Sequence, residues 1–170
     1  MVLTHGDWSV TEHASVTVDA EVDTKVATEW TRHRLGAYTQ ESTRFVDYTK
    51  GEDGFRVIMP KDLEGKEEAQ RIWRNSMLCA EATYSNLRVA GSSPQEARAV
   101  LPHCTACRLV VTYNLRNWRH FFLMRTTREA HPQIREVASA LLGKFKELIP
   151  LLYDDIEPGQ RQADNLRKPR

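Results

Sequence analysis

Between Ser15 and Asp23 apolar and polar side chains alternate, Val16, Val18, Ala20 and Val22 against Ser15, Thr17, Asp19, Glu21 and Asp23. A period of two puts each set on its own face, so this segment is expected to be a strand with one wet side. The period then turns helical. Thr24 can cap a helix that carries Val26, Ala27 and Trp30 on one side and ends near the basic cluster Arg32-His33-Arg34. Residues 35–45 are polar and have no clean period, and residues 55–60 predict a short strand entered from the turn Gly51-Glu52-Asp53-Gly54.

Residues 61–90 hold the longest helical pattern, with Ile72, Trp73, Met77, Ala80, Tyr84 and Leu87 recurring at three or four residues until Gly91-Ser92 stops it. Ser93-Pro94-Gln95-Glu96 is a capping box with Pro at the first helical position, so a short helix is expected to run on to Pro102. A strand over residues 105–113 and a helix over 117–125, with Trp118, Phe121 and Phe122 on one face, come next. Pro132 opens the last helix, where Ile134, Val137, Ala138, Leu141, Phe145, Leu148 and Ile149 form an amphipathic stripe. From residue 154 the chain is polar, with Pro158 and Pro169, which predicts a mobile tail over 154–170 behind one domain spanning 1–153. The sum is an α+β fold, an antiparallel or mixed sheet packed with long helices.

The 170 residues and 41% hydrophobic content suit one globular domain, and 8 Gly with 7 Pro exclude collagen-like and low-complexity chains. Formal net charge is +1, which lacks the footprint of a protein whose main partner is nucleic acid. Within the basic set, 17 Arg stand against 7 Lys, a skew that favours bidentate recognition of phosphate or carboxylate. No apolar run reaches the length of a membrane span, and Met1-Val2-Leu3 leads into His5, Asp7 and Glu12 without a signal pattern. A cytoplasmic protein is expected, bacterial or in a host cell if viral. Cys79, Cys104 and Cys107 are read as reduced thiols, since Cys104 and Cys107 open a strand on which residues three apart face opposite ways. No metal site is expected. The Gly-rich phosphate loop and the G-x-S-x-G elbow are both missing.

The informative stretch is Arg32-His33-Arg34 followed, after seven residues, by Ser42 and then Arg44. Several cationic and hydroxyl donors at this spacing can converge on phosphates. The spacing resembles the RHR signature of the flavin-dependent thymidylate synthases. Three further segments resemble that family in the same order: Ser9-Val10-Thr11-Glu12-His13 its "S-P-F-E-H", Glu96-Ala97-Arg98-Ala99-Val100-Leu101-Pro102 its "E-x-A-R-x-x-L-P", and Asn114-Leu115-Arg116 its "N-x-R". Leu123-Met124-Arg125 falls where the family ends a helix with Arg. The likeness spans roughly residues 5–153. Val10 and Thr11 stand in place of Pro-Phe, Glu29 where Gln is common, Ala37 where Ser is common, and Asn117-Trp118 in place of Ser-Leu. The helix and strand that family members carry before the "S-P-F-E-H" segment are expected to be absent.

What the resemblance implies is a homotetramer that makes dTMP from dUMP with FAD, NADPH as reductant and 5,10-methylenetetrahydrofolate as carbon donor, without a cysteine nucleophile. By position, Ser15, Arg32, His33, Arg34, Gln40, Asn114, Arg116 and His120 would hold FAD. Glu29, Arg32, Gln40, Ser42, Thr43, Arg44, Arg98 and Arg125 would contact dUMP. Arg125 would be the catalytic group, favouring the N3-deprotonated uracil and so enriching electron density at C5. His13 and His120 are candidates for the folate or flavin environment. Two alternatives stay open: a variant enzyme that leaves another group, such as hydroxymethyl, on pyrimidine C5, and a nucleotide- or flavin-binding homologue without turnover.

Overall fold

A computed structural model of the chain describes residues 7–50 and 54–160. In chain order its elements are β1 (Ser15–Asp23), α1 (Thr24–Trp30), β2 (Ala37–Gln40), α2 (Glu67–Val89), α3 (Pro94–Ala97), β3 (Ala106–Asn114), α4 (Leu115–Arg125), α5 (Pro132–Leu148) and α6 (Pro150–Tyr153). The strands make one small antiparallel sheet in the order β1-β3-β2, so the class is α+β. Along β1 burial alternates as the sequence predicts, and along central β3 the residues Cys107, Leu109, Val111 and Tyr113 are buried while Arg108 is exposed. On the wet face the Thr17 and Thr112 hydroxyls bond at 2.8 Å and Asp19 pairs with Arg108.

The chain divides into two compact units, one of residues 7–18, 29–38 and 111–160, the other of residues 19–28, 39–50 and 54–110. In the first, aromatic rings make the core. Trp30 stacks on Phe121 with centroids 4.9 Å apart, Trp118 packs against Phe122 and Phe145, and Tyr153 meets Phe145 edge-on. The stripe of α5 is buried at Ile134, Ala138, Leu142 and Phe145. Residues 154–160, assigned to a mobile tail from the sequence, fold back onto this unit: Ile156 is fully buried, and Gly159 N donates to the Thr126 carbonyl at 2.7 Å. Residues 161–170 lie outside the described residues.

In the second unit Tyr48, Tyr84 and Ala97 form a core with Val46, Phe55, Leu87, Val100 and Leu101 around it. The capping box at Ser93 and Glu96 is present as expected. Three local expectations change. The helix α1 is capped by Asp23, whose buried carboxylate accepts Val26 N at 2.6 Å, while the Thr24 hydroxyl goes to the His103 carbonyl. A carboxylate is the stronger acceptor for a helix N-terminus, and it won the position. The strand expected at 55–60 reduces to a single bridge, Val57 to Thr105, and its entry turn falls mostly outside the described residues. The long helix begins only at Glu67, and of its stripe only Tyr84 is fully buried, with Ile72 exposed. Among the described residues no helix is long and apolar enough to cross a membrane.

Candidate functional site

In the first unit the chain leaves α1 at buried Trp30 and turns sharply. His33 N donates to the Trp30 carbonyl at 3.0 Å, and the Tyr38 hydroxyl donates to the His33 carbonyl and meets the Tyr113 hydroxyl. These bonds hold the triplet so that Arg32 and Arg34 point outward while the half-buried His33 ring turns in, edge-on to Phe121 at 5.2 Å.

Facing it is α4. Asn114 starts this helix, its side-chain Oδ1 accepting Asn117 N at 2.8 Å. Trp118, Phe121 and Phe122 are buried, and Asn117, Phe121 and Arg125 recur every four residues along one face. Asn117 Nδ2 donates to the Leu35 carbonyl at 2.8 Å, which ties α4 to the turn. At the far end of the same face, Arg125 Nε donates to His33 Nε2 at 2.8 Å and Nη2 reaches the Glu29 carbonyl at 3.4 Å.

Between these parts lies a cleft of about 410 Å³, walled by Arg32, His33, Arg34, Tyr113, His120 and Arg125. Among the described residues no carboxylate lines it. Burial, reinforced by the charge of Arg125 and by His120, pulls His33 down to about 4. Burial lowers His120 as well and raises the Tyr113 phenol far above its ordinary range. At neutral pH both imidazoles are therefore uncharged, and three guanidiniums carry the charge of the cleft. Such a site suits an anionic or carbonyl-bearing planar ligand.

A second group of donors sits in the other unit. Gln40 ends β2, its amide donating to the Cys107 thiol at 3.6 Å. Ser42 opens a turn in which Phe45 N and Val46 N both reach its carbonyl and Arg44 N reaches its hydroxyl at 3.3 Å. Arg44 is oriented by Gln95 at 3.0 Å, and Arg98 by the Thr43 hydroxyl at 3.5 Å. Ser42, Thr43, Arg44 and Arg98 are thus one cluster of hydroxyls and cations.

Not every residue singled out from the sequence joins a cluster. Ser15 is the exposed first residue of β1, Asn114 spends its side chain on the cap, and Arg116 pairs with Glu12. Conversely, Tyr113 and Asn117 line the cleft without having been assigned to it. Tyr113 lies on the buried period of β3, and Asn117 lies four and eight residues before Phe121 and Arg125, so the signal was present in the spacing.

Residues 1–151 match the family model described as Thymidylate synthase complementing protein. The chain is 32% identical over 159 residues to the flavin-dependent thymidylate synthase of Geobacter sulfurreducens, an alignment that covers 93% of this chain and 68% of that protein. To the enzyme of that name from Mycobacterium avium it is 34% identical over 168 residues, 89% of this chain and 66% of the relative. To that from Pyrococcus abyssi it is 32% identical over 155 residues, 89% and 64% respectively. The chain spans about two thirds of the length of the curated relatives it matches. On the match over 1–151 and on these identities, the chain belongs to the flavin-dependent thymidylate synthase family.

Proposed function

We propose that this chain catalyses the reductive methylation of dUMP to dTMP, with FAD as redox cofactor, 5,10-methylenetetrahydrofolate as carbon donor and NADPH as reductant. The observation that carries the reading is Arg125, an always-charged group fixed at the wall of a cleft that offers cations and neutral imidazoles and no lining carboxylate. The donor set fits a flavin: guanidiniums for its phosphates and ring carbonyls, and a cleft of about 410 Å³ for its ring portion. Arg32, Arg34, Asn117 and His120 would hold it there. When bound, the flavin supplies the hydride that no side chain can.

The chain's own residues do the rest. Arg125 lies against the uracil and stabilises negative charge on the ring, which raises electron density at C5 toward the incoming carbon. Ser42 and Arg44, with Arg98 and Thr43 beside them, grip the phosphate of dUMP. The cleft alone is small for a dinucleotide, a nucleotide and a folate, and α2 exposes Ile72, Leu78 and Val89. Both features support a homotetramer in which each site draws donors from several copies.

The test is a flavin titration. Protein incubated with FAD and desalted is expected to keep a visible flavin band that shifts on addition of dUMP, and with folate and NADPH to release dTMP, identified by mass. A colourless protein, or a product of another mass, overturns this reading.

A further inference from the structure

We propose that His33 is a positioning residue, whose imidazole aims the guanidinium of Arg125 by accepting its Nε–H while leaving its positive charge unneutralised. The inference rests on the reading that Arg125 meets the substrate ring. Arg125 donates from Nε to His33 Nε2 at 2.8 Å. An arginine in a protein keeps its proton, so the acceptor must be a lone pair on Nε2, which assigns the neutral imidazole with its proton on Nδ1. Of the five N–H groups of a guanidinium, this bond and the one to the Glu29 carbonyl occupy two. Those two contacts fix both the plane and the direction of the fork, and the other N–H groups remain for a ligand.

The acceptor is itself immobilised. The His33 ring stands edge-on to Phe121 at 5.2 Å and to His120 at 5.9 Å, and its backbone is held by Trp30 and Tyr38. The titratable and charged groups that line the cleft with it or bond to it are Arg125 and His120 on α4, Tyr113 on β3, Tyr38 on β2, and Arg32 and Arg34 beside it in the chain. None of these is a carboxylate. Burial and the neighbouring Arg125 keep His33 uncharged down to about pH 4, so the bond persists across the working range. The usual partner of a fixed arginine is a carboxylate, which would orient it equally well but cancel the charge that acts on an electron-rich ring. A neutral imidazole separates the two effects.

Three substitutions and one titration test this. In His33→Gln the side-chain carbonyl supplies a neutral acceptor at similar reach, in His33→Leu the acceptor is gone, and in His33→Glu it is kept but charged. The expected kcat losses are within about tenfold for Gln and on the order of 100-fold for both Leu and Glu, with FAD still retained after desalting. Equal kcat for Gln and Leu, or loss of FAD in all three, would mean that His33 serves packing or cofactor binding, and overturns the proposal. Independently of any activity, the protonation of His33 is followed by NMR in the cofactor-free protein. The midpoint is expected near 4, held down first by burial and then by the charge of Arg125, so in Arg125→Gln it should rise by the part that the charge supplies. An unmoved midpoint removes the contact itself. A wild type that holds this contact but makes no product sinks the functional reading, and the positioning role with it.

Discussion

Gly36 lies against the ring of Tyr113 so closely that a Cβ on it would stand 2.2 Å from both Cδ1 and Cε1 and 3.0 Å from the Thr112 carbonyl oxygen. The glycine is required here by space, because its φ does not fall in the left-handed region. Tyr113 cannot easily retreat: it is buried, packs on Trp118 at 4.7 Å and shares a hydrogen bond with Tyr38. Gly36→Ala is therefore expected to cost about 1–3 kcal/mol in urea denaturation, the range for overpacking a filled core. In a Tyr113→Ala background the same change should cost little, and an equal cost in both backgrounds would place the clash elsewhere.

Arg125→Lys keeps a positive charge but loses both the Nε donor and the planar fork. If the directed fork is what acts on the substrate, kcat should fall by on the order of 10²–10³, as for the loss of one preorganised donor, while the protein folds and elutes as the wild type does. Activity within a few-fold of wild type would show that any cation suffices and that orientation is unimportant.

Asp47 takes Arg88 Nε and Nη2 at 3.3 and 2.7 Å and the Thr49 backbone and hydroxyl at 3.1 and 2.7 Å. The bonds from Arg88, then those from Thr49, hold its carboxyl well below the usual carboxylate range. A group depressed on folding stabilises the native state above its unfolded pKa of about 3.9 and loses that contribution as pH falls toward its folded value. Asp47→Asn should lower Tm by a few degrees at pH 7, with the gap to wild type closing in strong acid. A gap that stays constant with pH would trace the loss to packing alone.

Elements with a clean period were legible: the alternation of β1 and the stripe of α5 appear where the pattern puts them. Elements set by tertiary pairing were not. β2 has only four residues, with only Tyr38 half-buried among exposed neighbours, too few to read as an alternation; it exists because it pairs with β3. The apolar run at 55–60 read as a strand, yet only Val57 found a bridging partner. For the site, the arginine clusters were readable as spacing, but the bond from Arg125 to His33 joins residues 92 apart, and no local rule encodes it. Asn114 shows a local role that the motif does not spell out: its Oδ1 caps α4 by accepting Asn117 N three residues on.

The Ser42 turn carries the last prediction. Its hydroxyl already accepts Arg44 N at 3.3 Å, a long bond that a better acceptor or donor could replace, and its neighbour Arg44 is held in place by Gln95. If this cluster grips a nucleotide phosphate, Ser42→Ala removes one charge-assisted bond worth about 1.5–3 kcal/mol, so the Kd for dUMP should rise by on the order of 10- to 100-fold. Because the phosphate does not change during the reaction, the loss is uniform binding: KM rises and kcat holds. Gln95→Leu should reproduce a weaker version of the same effect, since it frees Arg44 without removing it. A dUMP affinity untouched by either substitution would move the phosphate to another set of cations, and a fall in kcat at unchanged KM would make Ser42 part of the chemistry instead of the grip.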